Sequence, residues 1–293
     1  MRNFEETCQI RYCSDRPLSP RITVVIVTYQ RPRELKRLLH SVRSQVNDPE
    51  RIEVCVVNNG GANFEQVHSL ADIWIDPDRN LGASGGRNLG VKATSGGLLF
   101  FLDDDAVLQA HALDYIERVF EDQTLSAIRG RVIPLEHPAF NCIARLYNQG
   151  DQVVPDLLTL EGVTVIRRAI YESVGGYCED QFAGEGLELS ERILQSYPSA
   201  KIEYHPQLVI AHDYVSSWRE LWLKARRNLR GHEDYRATVN PQAAENLIAV
   251  KQRYSAYEIP DGRSRSQRII SYFITRIYRI FRGIHSYRDG KGL

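Results

Sequence analysis

Apolar positions in the first hundred residues come in short blocks, and two periods alternate between them. Ile22-Thr23-Val24-Val25-Ile26-Val27 is β-branched and apolar on both sides, the pattern of a buried strand. Leu35, Leu38, Leu39 and Val42 then recur at helical spacing behind Pro32, whose missing N–H costs little in a first helical turn. Ile52 to Val57 predicts a second strand ending at Asn58-Asn59-Gly60-Gly61, and Ile73-Trp74-Ile75 a short third. The glycine-rich stretch from Asn80 to Gly90 leads into a short helix. Leu98-Leu99-Phe100-Phe101-Leu102 predicts a fourth strand, which ends at Asp103-Asp104-Asp105. Strands alternating with helices predict an α/β fold with a mostly parallel central sheet flanked by helices. Ligands of such sheets bind beyond the carboxyl ends of the strands. Thr28-Tyr29, Asn58-Asn59 and Asp103 to Asp105 all fall there.

The second half is less regular. Ala127 to Ile133, Glu161 to Ile166 and Leu208 to Ala211 read as strands, and Pro134 to Leu160 as a long loop. Gly186 to Tyr197, Trp218 to Arg230 and Pro241 to Tyr254 read as helices. From Arg265 to Arg288, at about 100° per residue, Ile270, Phe273, Ile274, Ile277, Phe281 and Ile284 fall on one stripe. Arg265, Arg268, Arg276, Arg279 and Arg282 fall opposite. A basic face of this kind, with Tyr272, Tyr278 and Tyr287, suits a helix lying on an anionic membrane surface. Packing on its own domain or on a second copy, as a homodimer, are the alternatives. Three regions follow: an N-terminal extension (1–20), an α/β domain (21–235) and a helical C-terminal extension (236–293).

Composition narrows the classes. Lys plus Arg number 37 and Asp plus Glu 37, so net charge is zero and nothing in the whole chain favours nucleic acid. The five cysteines are odd in number and fit no zinc spacing, which predicts free thiols in a reducing compartment, with Cys55 buried in its strand. Met1 to Pro20 lacks the apolar core of a signal peptide, and no run of about 18 apolar residues predicts a transmembrane helix. The expected location is cytoplasmic, peripheral on the inner face of the membrane if the C-terminal helix meets lipid.

Three aspartates at the end of a buried strand put carboxylates at the ligand edge. Asp103 and Asp105 are two apart, and hard oxygen ligands suit Mg²⁺ or Mn²⁺. An acidic loop capping the next helix is the alternative reading. In Asn80-Leu81-Gly82-Ala83-Ser84-Gly85-Gly86-Arg87-Asn88-Leu89-Gly90, small residues allow a backbone to approach a ligand, and Arg87 can reach phosphate oxygens or brace the carboxylates. The run is neither a dinucleotide fingerprint nor a phosphate loop.

Val27-Thr28-Tyr29-Gln30-Arg31-Pro32, then Asn58-Asn59-Gly60, then Asn80 to Gly90, then Asp103-Asp104-Asp105, resembles glycosyltransferase family 2 in order and spacing over residues 21–235. The resemblance implies the GT-A fold, a Rossmann-like nucleotide-diphospho-sugar transferase sheet. It also implies roles. Thr28, Tyr29 and Arg31 would line the nucleoside pocket. Asn58 stands where the family usually carries an aspartate that contacts the base. Asn80, Gly82 and Arg87 would lie near base, ribose and carboxylates, and Asp103 and Asp104 would join the donor-binding set. Asp103 and Asp105 match the family's D-x-D, with Asp105 the more direct metal ligand. His212, after an apolar strand, would complete the metal or diphosphate site, whereas His205 reads as structural.

Gly175-Gly176-Tyr177 and Gly184-Glu185-Gly186-Leu187-Glu188-Leu189 resemble the family's acceptor-side segment, with glycine at 186 in place of the usual aspartate. Glu185 and Glu188 remain as catalytic bases, with Glu185 preferred. Their alternative roles are a helix cap and an i,i+4 pair with Arg192. A similar G-E-x-x-E-L-S pattern occurs in the polypeptide GalNAc-transferases, which retain configuration; inversion is the expectation here. Trp218, Trp222, Lys224, Arg226, Arg227 and Arg230 form a basic, aromatic helix that would hold a diphosphate, face anionic lipid or lie solvated. The implied activity is metal-dependent transfer of a sugar from a UDP- or dTDP-type donor, with Mn²⁺ or Mg²⁺, to a saccharide or lipid-linked saccharide in polysaccharide or glycoconjugate synthesis. A sugar-nucleotide nucleotidyltransferase and a catalytically inactive nucleotide-sugar-binding scaffold are the other readings.

Overall fold

The β-branched run at 22–28 forms the centre of one mixed sheet. The computed structural model describes residues 8–13, 16–17, 19–61, 64–137, 148–181 and 184–227, with 269, 272–274 and 276–281 of a C-terminal helix. Ten strands alternate with helices: β1 (Cys8–Tyr12), β2 (Ile22–Thr28), α1 (Pro32–Arg43), β3 (Ile52–Asn58), β4 (Ile73–Pro77), α2 (Gly82–Lys92), β5 (Leu98–Asp103), β6 (Val107–Leu108), α3 (Ala112–Val119), β7 (Leu125–Ile133), β8 (Val154–Pro155), β9 (Val163–Arg167), α4 (Arg168–Ser173), α5 (Glu185–Ser196) and β10 (Lys201–Ala211). The strand order is β1-β4-β3-β2-β5-β9-β7-β10-β6, with β8 on β10.

Strands β4, β3, β2 and β5 run parallel, as expected, and so do β7 and β10. The sheet is nevertheless mixed, because β9 lies antiparallel between β5 and β7, and β1 lies antiparallel on β4. In-register pairing sets Thr28 against Asn58 and Val27 against Asp103, so the polar strand ends share one edge.

Period-2 alternation divides the core. Val24, Ile26, Phe100 and Leu102 pack beneath Leu35, Leu38, Leu39 and Val42 of α1 and Leu113 and Ile116 of α3. Val25, Leu99 and Phe101 point the other way, toward Tyr171 and Tyr177 and Leu189 and Ile193 of α5. Several elements differ from expectation. The polar N-terminal region contributes the edge strand β1. The glycine-rich run does not lead into a helix but is itself the helix α2. Helices α3 and α4 were not legible as such, and β10 is longer than its apolar end suggested, with a register shift between Tyr204 and Val209 around Pro206. Within the expected 134–160 loop, β8 forms and 138–147 lie outside the described residues. Cys8 and Cys55 are buried, and all four described cysteines are free thiols; Cys142 lies outside the described residues.

Residues 218–227 are helical. Their Leu221 and Ala225, with Tyr214 and Val215, bury Ile274 and Tyr278 of the C-terminal helix, while Phe281 meets Trp222 edge-on at 4.7 Å. Part of the predicted apolar stripe therefore packs on its own domain. Phe273 of that stripe is exposed instead, with Ile269, Tyr272 and Ile280. Ile270, Ile284, Arg265, Arg268, Arg282, Tyr287 and the predicted helix 241–254 lie outside the described residues. No helix among the described residues is long and apolar enough to cross a membrane.

Helix α2 lies unusually close to β2. A Cβ on Gly86 would stand 2.7 Å from Val27 Cγ1, and one on Gly90 2.7 Å from Val25 Cγ1. Helix propensity alone would favour Gly90→Ala by about 1 kcal/mol, whereas forced overpacking costs about 1–3 kcal/mol. Gly90→Ala is expected to destabilise the protein, read as a lowered urea midpoint at unchanged slope; a raised midpoint would show that α2 has room to move.

Candidate active site

The close seat of α2 carries Arg87 beneath the acidic strand edge. Arg87 is buried and donates to Asp103 Oδ1 at 2.9 Å, and its guanidinium lies 5.5 Å from the centre of the Tyr177 ring. The negative charges of Asp103, Glu161 and Glu185 all stabilise it, which more than reverses the effect of burial and leaves it firmly protonated. The start of α2 is pinned separately. Asn59 Oδ1 accepts from Leu81 N at 2.9 Å, Asn59 Nδ2 donates to Gly82 O at 2.7 Å, and Asn80 Oδ1 accepts from Gly82 N at 2.8 Å.

The three aspartates point in three directions. Asp103 meets Arg87. Asp104 turns inward, accepting from the Thr28 hydroxyl at 2.8 Å, Tyr29 N at 3.3 Å and Arg31 at 3.3 Å. Burial pushes Asp104 up to about 6 against the lowering charge of Arg31. Thr28, expected to line a nucleoside pocket, is thus fully buried and braces the β2–α1 loop, while Tyr29 is exposed. Asp105 pairs with Arg31 through one oxygen and with His212 Nε2 at 2.9 Å through the other. Burial raises Asp105, but His212, Arg31 and Lys224 more than reverse it and hold the carboxyl well below its usual range. Burial lowers His212, and the hydrogen bond and charge of Asp105 carry it above its ordinary value.

A cavity of about 470 Å³ opens beside this pair, lined by Arg31, Asp105, His137, His212, Lys224 and Arg227 among others. Of the residues expected in the site, it gathers Arg31, Asp105 and His212. Lys224 supplies a cation from helix 218–227, donating to Tyr214 O at 2.7 Å with its nitrogen 3.6 Å from the Tyr214 ring centre. Burial and then Arg227 pull Lys224 down to about 8, with Asp105 and Asp103 pulling back, so it stays largely protonated at neutral pH. Asp213 accepts the backbone N–H groups of Leu135, Glu136 and His137 at 2.8–3.1 Å and joins the exits of β7 and β10 around the cavity.

Asp105 and His212 are residue types that could hold a hard divalent cation, but in this structure they hold each other, His212 Nε2 donating to Asp105 Oδ1 at 2.9 Å. No group of three or more His, Cys, Asp or Glu side chains among the described residues is gathered closely enough to enclose an ion.

Asn58 donates to Asp76 Oδ1 at 2.7 Å, which also accepts from the Trp74 indole at 3.2 Å. An aspartate thus stands beside Asn58, but on the neighbouring strand. At the opposite end of the site, Glu188 forms a two-pronged pair with Arg192, whose other donors reach the Val174 and Gly176 carbonyls. Glu188 ties α5 to the preceding turn. Glu185 is half-buried at the first turn of α5, and burial followed by the charge of Glu161 raises it to about 7. His205 is buried on β10 between Tyr115 (2.7 Å) and Glu203 (3.0 Å), as a structural histidine. Glu161, Asp213 and Asp76 were not singled out by sequence. Their only signal is a polar residue at a strand end, which is common to most strands.

Residues 23–136 match the family model "Glycosyl transferase family 2". The chain is 24% identical over 244 residues to the pre-mycofactocin glycosyltransferase of Mycobacterium tuberculosis, covering 78% of this chain and 50% of that protein. It is 24% identical over 217 residues to the O-antigen chain rhamnosyltransferase WbaN of Salmonella anatum, covering 67% of each. The chain thus spans half the length of the mycobacterial relative. In fold it is similar to the mannosyltransferase PcManGT from Pyrobaculum calidifontis, solved in complex with GDP-Man and Mn²⁺. The TM-score is 0.57 at 16% identity, over 92% of this chain and 85% of that one.

Removing a buried cation from beneath several carboxylates leaves their charge uncompensated. Arg87→Met is expected to destabilise the fold by about 2 kcal/mol or more at pH 8. The loss should be smaller at pH 5.5, where Glu185, raised to about 7, is already neutral. Urea unfolding at the two pH values measures the difference, and equal losses would remove Glu185 from the charges that Arg87 compensates.

Proposed function

We propose, from the match of residues 23–136 to glycosyl transferase family 2, that the chain moves a sugar from a nucleoside diphosphate of the UDP or dTDP type to a hydroxyl of a saccharide or lipid-linked saccharide, inverting the anomeric centre, in polysaccharide or glycoconjugate synthesis. The observation that carries this reading is the meeting of Asp105 and His212 at 2.9 Å on the wall of a cavity that also bears Arg31, Lys224 and Arg227. Cations and a cation-binding pair on one wall suit a pyrophosphate. The Mn²⁺ and GDP-Man in the archaeal mannosyltransferase of similar fold support the same class of donor.

Mn²⁺ or Mg²⁺ held by Asp105 and His212, with Asp103 beside them, would supply Lewis-acid neutralisation of the diphosphate. Arg31, Lys224 and Arg227 add fixed positive charge where the leaving group gains negative charge. On the acceptor side Glu185 takes the hydroxyl proton. The freed oxygen pair forms the new bond to the anomeric carbon, and the bond from that carbon to the phosphate oxygen breaks with its electrons leaving on the diphosphate. One displacement inverts the centre. A carboxylate raised to about 7 is a better proton acceptor than an ordinary one and is still half ionised at neutral pH. Glu188, committed to Arg192, is the weaker candidate.

Glu185→Gln is expected to lower kcat by about 10²–10⁴-fold with donor binding retained. Chelation with EDTA should abolish transfer until Mn²⁺ is restored, and Asp105→Ala should not recover. Assays with a panel of nucleotide sugars and an NMR assignment of the product anomer check both. Full activity of Glu185→Gln would remove it as the base, and indifference to EDTA would remove the cation.

We further place a membrane contact on Ile269, Tyr272, Phe273 and Ile280, which are exposed beside the equally exposed Arg276 and Arg279. The protein should float with vesicles containing phosphatidylglycerol, and the double substitution Ile269→Glu, Phe273→Glu should abolish flotation. Flotation unaffected by the substitutions would leave that face to another role.

A further inference from the structure

Glycine at 186 is a packing requirement. A Cβ built there would collide with the Leu158 carbonyl oxygen and stand 2.9 Å from Glu161 Oε1. The space a side chain would fill at the second position of α5 is already taken by residues from the segment before β9. Glu161 is anchored there, accepting the Gly186 N–H at 2.7 Å. Its neighbour Gly162 is pressed equally hard against the Asp103 carboxylate, so the 161–162 step is wedged between the end of β5 and the start of α5.

We propose that Glu161 is the positioning residue of the acceptor side: it brings a second carboxylate against Glu185 and keeps Glu185 competent to accept a proton. The proposal rests on the reading of Glu185 as base. Glu185 is faced by Glu161 from the loop before β9, Arg87 from α2, Arg227 from helix 218–227 and Tyr177 from the turn before α5. Burial and then the charge of Glu161 raise Glu185, and Arg87 and Arg227 oppose them. Glu161 accepts the N–H of the residue after Glu185 at 2.7 Å, and a carboxylate held there disfavours ionisation of Glu185. The buried Tyr177 hydroxyl, within electrostatic reach of both glutamates, has no hydrogen-bond partner among the described residues. An unsatisfied donor enclosed in that place suits a water held against the two carboxylates.

A structural role alone predicts that Glu161→Gln, which keeps the shape and an acceptor oxygen for Gly186, changes little. The positioning role predicts more. In Glu161→Gln the acid limb of the kcat/KM profile should move to lower pH by about one unit. The plateau rate should fall because the base is weaker, and KM for the donor should hold. Glu161→Asp, which restores the charge, should return the limb toward that of the unsubstituted enzyme. An acid limb unmoved in Glu161→Gln, while Glu185→Gln is inactive, overturns the inference and leaves the base in place. An active Glu185→Gln overturns the base itself. If both changes at 161 prevent folding, carboxyl ¹³C titration of the unsubstituted protein decides. Coupling predicts a drawn-out Glu185 curve centred near neutrality, and a single step in the ordinary carboxylate range overturns it.

Discussion

Arg87 is the interaction on which the rest of the site depends. Carboxylates from three parts of the chain, Asp103, Glu161 and Glu185, converge at the end of the sheet, and one buried guanidinium stabilises itself against all of them. A lysine would place a point charge here, but the planar fork of arginine can donate to Asp103 while its face meets the Tyr177 ring. Arg87 reaches this position because α2 sits so near β2 that only glycine fits at 86 and 90. The glycines of the run act on the sheet side of the helix. They set the depth of the helix, and the depth sets the charge balance at the edge.

The same logic of close approach governs the start of α5. Absence of a side chain at 186 reads, along the sequence, as a loss of function at the position where the family resemblance expects an aspartate. In three dimensions Leu158 and Glu161 fill that volume, and a carboxylate enters the space from another segment. Asn58 follows a parallel pattern, with Asp76 delivered from the adjacent strand to its side-chain amide. In both places an acidic group stands next to the position where the motif lacks one.

This explains which parts of the site were legible in the sequence. The strands β2, β3 and β5 were legible because they are apolar on both faces and end in polar residues, and parallel pairing then forces those ends to one level. Asp105, His212 and Arg31 each lie within three residues of a strand end, and the fold brings the three together. Helix α3 carries little signal in the sequence because Leu113, Tyr115 and Ile116 span only about two turns, too few for a clear helical period. The antiparallel course of β9 was invisible because its direction depends on where the chain re-enters the sheet, not on the local pattern. Glu161 and Asp213 have no local signature either: each matters through a backbone N–H far away in sequence. The brace between Thr28 and Asp104 has no local signal, since the hydrogen bond that makes it joins residues 76 apart in the chain.

Zero net charge also conceals a local separation. Residues on the sheet edge are acidic, and helix 218–227, folded across it, is basic, with Lys224 drawn down to about 8 by burial and by Arg227 while Asp105 and Asp103 hold its proton. Each side offsets the other across the cavity. Under the proposed function, a diphosphate with a divalent cation would bring both signs at once: Asp105 and His212 would hold the cation, and Arg31, Lys224 and Arg227 would face the phosphates. A ligand of one sign would compensate only one of the two sets of charges, so the mixed lining favours a ligand that carries both.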